Sequence, residues 1–157
     1  MIISQQVKTN LDAAIHSELF ASNLYKHVAN QLQRLGWFGG QKFFAEESAT
    51  ELTHYQKLVD YLNDVGTVAK VPMIEAMTDV ISDLEDAIQL GYDTEKQLLD
   101  DYLGWYKSSD VMTQQFLLQF IEIQRTSVGE YGDLLSRLKL ASGDKCAILM
   151  IDQELKG

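Results

Sequence analysis

Apolar residues recur along this chain at steps of three and four, so helices are expected over most of its length. From Gln5 to about Leu35 the inward stripe reads Leu11, Ala14 or Ile15, Glu18, Ser22, Tyr25, Ala29 and Leu32. Gly36 stands where a left-handed cap would end that helix. A second helix is predicted to begin after Gly39-Gly40 and to run to about Asn63, with Gly66 as its stop signal. Its stripe is Phe44, Glu47, Glu51, His54, Leu58 and Tyr61. The connection between the two is short, which makes them antiparallel neighbours.

Residues 65–81 carry two patterns. GTVAKVP reads as extended chain, and Pro72 disfavours an α conformation at Val71. Met73, Ile74, Met77, Val80 and Ile81 then return to helical spacing, so the stretch is either a packed crossover or an early start to the next helix. A crossover of this length would run along a bundle and join two parallel helices. The third helix is predicted to start at a capping box from Ser82 to Glu85. Its seam is Leu84, Ile88, Gly91, Glu95, Leu98 or Leu99, Tyr102 and Tyr106. Gly91 costs about 1 kcal/mol relative to Ala inside a helix, which only a tightly packed or liganded site repays. Ser108 or Ser109 is expected to end this helix and cap a fourth, from about Asp110 to Leu138. There the apolar positions are Met112, Phe116, Phe120, Ile123, Tyr131, Leu134, Leu135 and Leu138, and the seam passes Ser127 with Gln124 close by. After Gly143-Asp144, KCAILMIDQELKG reads as a short final helix. Its apolar stretch from Cys146 to Ile151 is expected to be buried on the bundle or on other subunits.

Composition narrows the class. A chain of 157 residues, 46% of them apolar, suits one domain with a real core. Its apolar runs fall far short of a membrane span, and MIISQQVKTN reads as neither a signal nor a transit peptide. The single Cys146 argues against a disulfide framework and fits a reducing compartment, so a cytoplasmic location is expected. With 23 acidic and 13 basic residues the net charge is −10, which argues against nucleic acid as a partner and suits attraction of cations.

The charges on the stripes are the unusual feature. Glu18, Glu51 and Glu95 each lie near the middle of a helix on its inward side, and His54 follows Glu51 by one turn. Burying unpaired carboxylates is costly, so something positive belongs beside them. One Glu-x-x-His in an acidic helical chain occurs often by chance, and His54 alone could hydrogen-bond a neighbouring helix. Four such positions at one depth point instead to a metal ion held between the helices. Carboxylates with one imidazole suit iron, although ligand type does not exclude manganese or zinc.

With these residues in place, the chain resembles non-haem bacterial ferritins over essentially its whole length. The resemblance is carried by HSELFASNLYKHVA, EESATELTHYQKLVDYLNDVG, LEDAIQLGYDTEKQLL, FLLQFIEIQRTSVGEYGDLLSRL and the tail through KCAILMIDQELKG. It implies an all-α fold: a ferritin-like four-helix bundle with a long crossover between the second and third helices and a short fifth C-terminal helix, all one domain over residues 1–157. It also implies a ferroxidase centre for two irons. Glu18 and His54 would hold the first, Glu51 would bridge, Glu95 would hold the second, Tyr25 would sit near the bridging group and Gln124 beside the second iron. Fe2+ and dioxygen would be the partners, ferric oxyhydroxide the stored product, and a homo-oligomeric cage of about 24 subunits the container.

The fourth helix departs from the family pattern. Ser127 stands where the family usually has a glutamate for the second iron, so weaker occupancy and slower oxidation are expected there. Glu130, one turn on, is a candidate to reach in. The family's third iron position corresponds to Thr50, Ile123, Thr126 and Ser127, none a carboxylate, and is expected to be absent. Leu52 stands where haem-binding relatives place a methionine, so no haem is expected. The competing expectation is a shell or structural subunit with weak or no ferroxidase activity. An interfacial mini-ferritin site fits poorly with ligands that lie inside one bundle, and the lone cysteine excludes a rubredoxin-like domain.

Overall fold

The computed structural model covers residues 1–157 and is built from five helices: α1 (Gln5–Leu35), α2 (Phe38–Asp64), α3 (Leu84–Lys107), α4 (Val111–Ala141) and α5 (Lys145–Leu155). The first four form the bundle. α1 starts at Ser4, whose hydroxyl accepts from the Val7 amide, and ends at Gly36 with φ 91°. All of its predicted stripe is buried. Small side chains let α1 and α2 approach closely. Ser22 Oγ donates to the Ser48 carbonyl at 2.8 Å, and Ser48 Oγ donates to the Ser22 carbonyl at 2.7 Å.

Residues 67–83 are a non-helical crossover, which settles the choice left by the sequence. Side chains of α1 hold it: Asp12 accepts from the Lys70 amide at 3.0 Å, Gln31 accepts from the Ile81 amide at 2.9 Å, and Gln31 and His27 bond the Asp79 carbonyl. Asp12 and Gln31 lie roughly 28 Å apart along a helix at 1.5 Å rise per residue. The short chain between Lys70 and Ile81 must therefore stay close to fully extended, at about 2.6 Å per residue against a limit of about 3.3–3.6 Å.

Two cap assignments differ from the pattern. α3 is capped by Asp83, whose carboxylate accepts from the Asp86 amide at 2.8 Å, and not by Ser82. Ser82 instead donates its hydroxyl to Asp86. α4 is capped by Asp110, which accepts from the Thr113 amide at 3.0 Å, while Ser108 serves as the C-cap of α3. α4 also continues past Leu138 to Ala141. Its buried line runs through Thr113, Leu117, Phe120, Gln124, Tyr131 and Leu138, so Met112 is 40% exposed rather than inward.

The second helix starts at Phe38, ahead of the two glycines. The reason lies at the other end of the chain. α2 has no side-chain cap of its own. The buried carboxylate of Asp152 on α5 accepts from the Gly39 amide at 3.0 Å and from the Gly40 amide at 2.7 Å. A Cβ at Gly39 would lie 1.6 Å from the Asp152 carbonyl oxygen, so the bare backbone is what lets α5 dock there. Only Ile151 and Asp152 of α5 are buried; Leu149, Met150 and Cys146 are exposed in the single chain. Gly91 has a similar role in α3: a Cβ there would lie 2.2 Å from Cε1 of Tyr131.

Asp152→Ala should destabilise the protein by about 1–2 kcal/mol, the usual worth of a lost cap carboxylate. Hydrogen exchange should speed at the Gly39 and Gly40 amides and across α5 before the bundle opens. Gly91→Ala should destabilise despite the better helix propensity of alanine, by about 1–3 kcal/mol as overpacking. Chemical denaturation reads both; a more stable Gly91→Ala protein would contradict the packing described.

Candidate metal centre

Each helix of the bundle sends polar side chains into its middle. α1 contributes Glu18 and Tyr25, α2 contributes Glu51 and His54, α3 contributes Glu95 and Tyr102, and α4 contributes Gln124 and Tyr131; all are buried. Every one of the six residues singled out in the sequence, Glu18, Tyr25, Glu51, His54, Glu95 and Gln124, lies in this region. The ligand atoms of Glu18, Glu51 and His54 all lie within 4.8 Å of one another. His54 Nδ1 is 3.0 Å from Glu51 Oε2 and 3.5 Å from Glu18 Oε2. The Phe120 ring meets the imidazole edge-on at 6.0 Å and limits its rotation.

Tyrosine hydroxyls hold the outer carboxylate oxygens. Tyr102 donates to Glu18 Oε1, and Tyr25 donates to Glu95 Oε1 at 2.6 Å. Gln124 donates to Glu95 Oε2. Tyr25 thus hydrogen-bonds Glu95 rather than Glu51, the carboxylate expected to bridge. Burial, then the neighbouring carboxylates and phenols, pushes Tyr25 and Tyr102 well above the usual tyrosine range, which keeps both hydroxyls as donors.

The remaining oxygens have too few partners. No lysine or arginine pairs with Glu18, Glu51 or Glu95. Glu18 Oε2 is buried without a hydrogen bond. Burial pushes Glu51 well above the ordinary carboxylate range, and the adjoining Glu18 adds to the effect. Burial also raises Glu95, partly offset by its bonds from Tyr25 and Gln124. Glu18 goes the other way: burial raises it, but the adjoining His54 and Glu51 side chains and the Tyr102 hydroxyl outweigh this and lower it. Like charges at this separation cannot all ionise in a dry site without a cation.

Ser127 is half-buried on α4, while Glu130, Thr50 and Thr126 are exposed. Three residues at the site were not singled out by sequence reasoning. Tyr102 lay on the predicted seam, with its spacing of seven from Glu95 as the available signal. Tyr131 was read as an apolar position. Glu47 was placed on the stripe but given no role, although it precedes Glu51 by one turn. Glu47, Glu51 and Glu95 each offer an oxygen within 4.8 Å of the others.

Comparison with known proteins agrees with this geometry. The ferritin-like domain profile matches residues 8–141. A bacterial non-haem ferritin-like protein of Haemophilus influenzae is 27% identical over 158 residues, covering 98% of this chain and 96% of that protein. The bacterial non-haem ferritin of Escherichia coli is 24% identical over 159 residues, covering 98% and 96%. Among solved structures, a humanised archaeal ferritin superposes with a TM-score of 0.94 at 22% identity, covering 98% of this chain and 96% of that one. An open-pore ferritin from Archaeoglobus fulgidus gives 0.91 at 21% identity, covering 98% and 97%. With a family match that spans most of its length, this chain belongs to the ferritin family.

Proposed function

We propose that the chain is an iron-storage subunit that takes up Fe2+ between its helices and passes its electrons to dioxygen. The single observation that carries this reading is the buried set of Glu18, Glu51 and His54, with ligand atoms within 4.8 Å of one another and no basic side chain paired to the two carboxylates beyond the imidazole itself. The donor set fits Fe2+ as substrate: two hard oxygens, one borderline nitrogen and an orphaned carboxylate oxygen, Glu18 Oε2, facing the gap. Glu51 lies between the two ligand sets, sharing one with Glu18 and His54 and the other with Glu95, as a bridging carboxylate must. Tyr25, Tyr102 and Gln124 hold Glu95 and Glu18 in place while iron enters and leaves. Two Fe2+ give one electron each to one dioxygen, which leaves as hydrogen peroxide, and water hydrolyses the two Fe3+ to oxyhydroxide with release of protons.

Storage needs a container, and the surface supports assembly with copies of the same chain. Leu140 (86% exposed), Met150 (69%) and Leu149 (51%) leave an apolar end around α5. Val68, Met73 and Val80 on the crossover are each at least 80% exposed. Apolar groups so open to water favour burial against further copies, and the cage proposed is the 24-subunit shell implied by the family. A second reading, a shell subunit with weak oxidase activity, is favoured by Ser127, which presents a hydroxyl from α4 in place of a carboxylate. No helix is long and apolar enough to cross a membrane.

Replacing Glu51 and His54 together by alanine should abolish tight anaerobic Fe2+ binding and the fast phase of oxidation in stopped-flow absorbance, while circular dichroism stays helical. Retained tight binding would overturn the reading. A second expectation concerns pH. Glu51 and Glu95 are raised above their unfolded values, and Glu47 is raised from 4.5 to about 7, mainly by burial. The folded metal-free protein then binds more protons than the unfolded chain, so its stability falls as pH rises from about 5 through about 7. The lowered Glu18 acts with opposite sign, but its contribution is lost only as pH falls below the ordinary carboxylate range. Thermal unfolding with chelator should therefore give a falling Tm between pH 5 and 8, and redox-inert Zn2+ should remove the fall. A flat chelated profile would contradict the electrostatic account.

A further inference from the structure

We infer that the carboxylate missing from α4 is supplied by α2: Glu47 completes the second metal position with Glu51 and Glu95, and the hydroxyl of Tyr131 positions it. The inference rests on the iron-binding reading above and specifies how its second position is built. Glu47, Glu51 and Glu95 bring oxygens within 4.8 Å of one another, a second ligand set that shares Glu51 with the first. Glu47 precedes Glu51 by one helical turn, so both carboxylates leave the same face of α2. It is half-buried and has no lysine or arginine partner.

Tyr131 is the independent observation. Its ring is 1% exposed, and its hydroxyl is buried with no hydrogen-bond partner. Burial and the nearby charges of Glu47, Glu95 and Glu51 push that hydroxyl well above the usual tyrosine range, so it stays a donor, with the Tyr25 side chain also beside it. The ring is held edge-on by Phe43 at 5.6 Å and is admitted only because residue 91 has no Cβ. A helix that accepts the propensity cost of Gly91, to seat a phenol whose hydroxyl meets no protein acceptor, has built a donor for a group that turns in when the site is filled. A glutamate binding metal through one oxygen leaves the other to accept that hydrogen bond.

This arrangement replaces the expectation that Ser127 leaves the second position one charge short. It also removes the need for Glu130, which is exposed and lies outside both ligand sets. The second position then has three carboxylates, two of them from α2, and the first has two with an imidazole.

Anaerobic Fe2+ titration of the assembled protein by calorimetry at neutral pH separates the possibilities. The native protein should take up two tight equivalents per subunit. Glu47→Gln, which keeps the shape of the side chain, should lose the second and retain the first, whereas Glu130→Gln should keep both. Tyr131→Phe keeps the ring and should weaken the second equivalent about tenfold, the scale on which a ligand's hydrogen-bond partner acts, without moving the first. Adding Ser127→Glu to Glu47→Gln should restore the second equivalent from α4. Two native-affinity equivalents in Glu47→Gln, or only one in the native protein, would overturn this inference and leave the first position standing. No tight equivalent in the native protein would overturn both. An unchanged second equivalent in Tyr131→Phe would remove Tyr131 from the site.

Discussion

Carboxylates that face one another in a dry interior without a basic partner repel, and they lose hydration that nothing in the chain replaces. The middle of this bundle is arranged around that constraint. Glu18, Glu51 and Glu95 are each at most 2% exposed, and together they meet a single imidazole. The surrounding polar groups only soften the problem: Tyr102 and Tyr25 each cover one oxygen, and Gln124 covers another. A protein could avoid the cost with apolar residues at these positions, as it does one or two turns away at Leu11, Leu58 and Leu98. Under the function proposed above, the acids are kept because a cation offsets their repulsion.

The rest of the fold serves to bring those side chains to one level. The crossover must cover most of the bundle in few residues, so it is extended, tied to α1 by Asp12, His27 and Gln31 and packed on the core through Ile81. That sets α3 parallel to α2 and places Glu95 opposite Glu51. At the far end Asp152 closes the exposed start of α2 through the Gly39 and Gly40 amides, which fixes the pitch of the helix carrying Glu47, Glu51 and His54. The two glycine sites and Gly91 are places where backbone must approach another element, not weaknesses in the helices.

Much of this was legible in the sequence, because the stripes of α1 and α3 repeat cleanly and their inward residues are buried as the spacing required, except for Tyr106 at the end of α3, which is half-buried. The six site residues followed from the same periodicity joined to the family resemblance. What the sequence hid had physical causes. The Gly39-Gly40 pair looked like a break because its partner, Asp152, is 112 residues away in sequence for Gly40. The line of α4 was read one residue off at its start because VMTQQFLLQF is apolar on more than one side, which leaves Met112 and Thr113 equally plausible on pattern alone. The helix caps went to Asp83 and Asp110 rather than to adjacent serines, a choice between neighbours that only geometry makes. Glu47 and Tyr131 were overlooked for a different reason. Their meaning depends on each other and on Gly91, residues on three different helices.

The central claim is that the buried acids of this bundle are a two-position site for iron. Crystals soaked with Fe2+ without oxygen, with anomalous diffraction recorded at the iron edge, test it most directly. The account predicts two peaks in each subunit, one among Glu18, Glu51 and His54 and one among Glu47, Glu51 and Glu95, with Glu51 touching both. Fully soaked crystals with no iron peak among these side chains would contradict it.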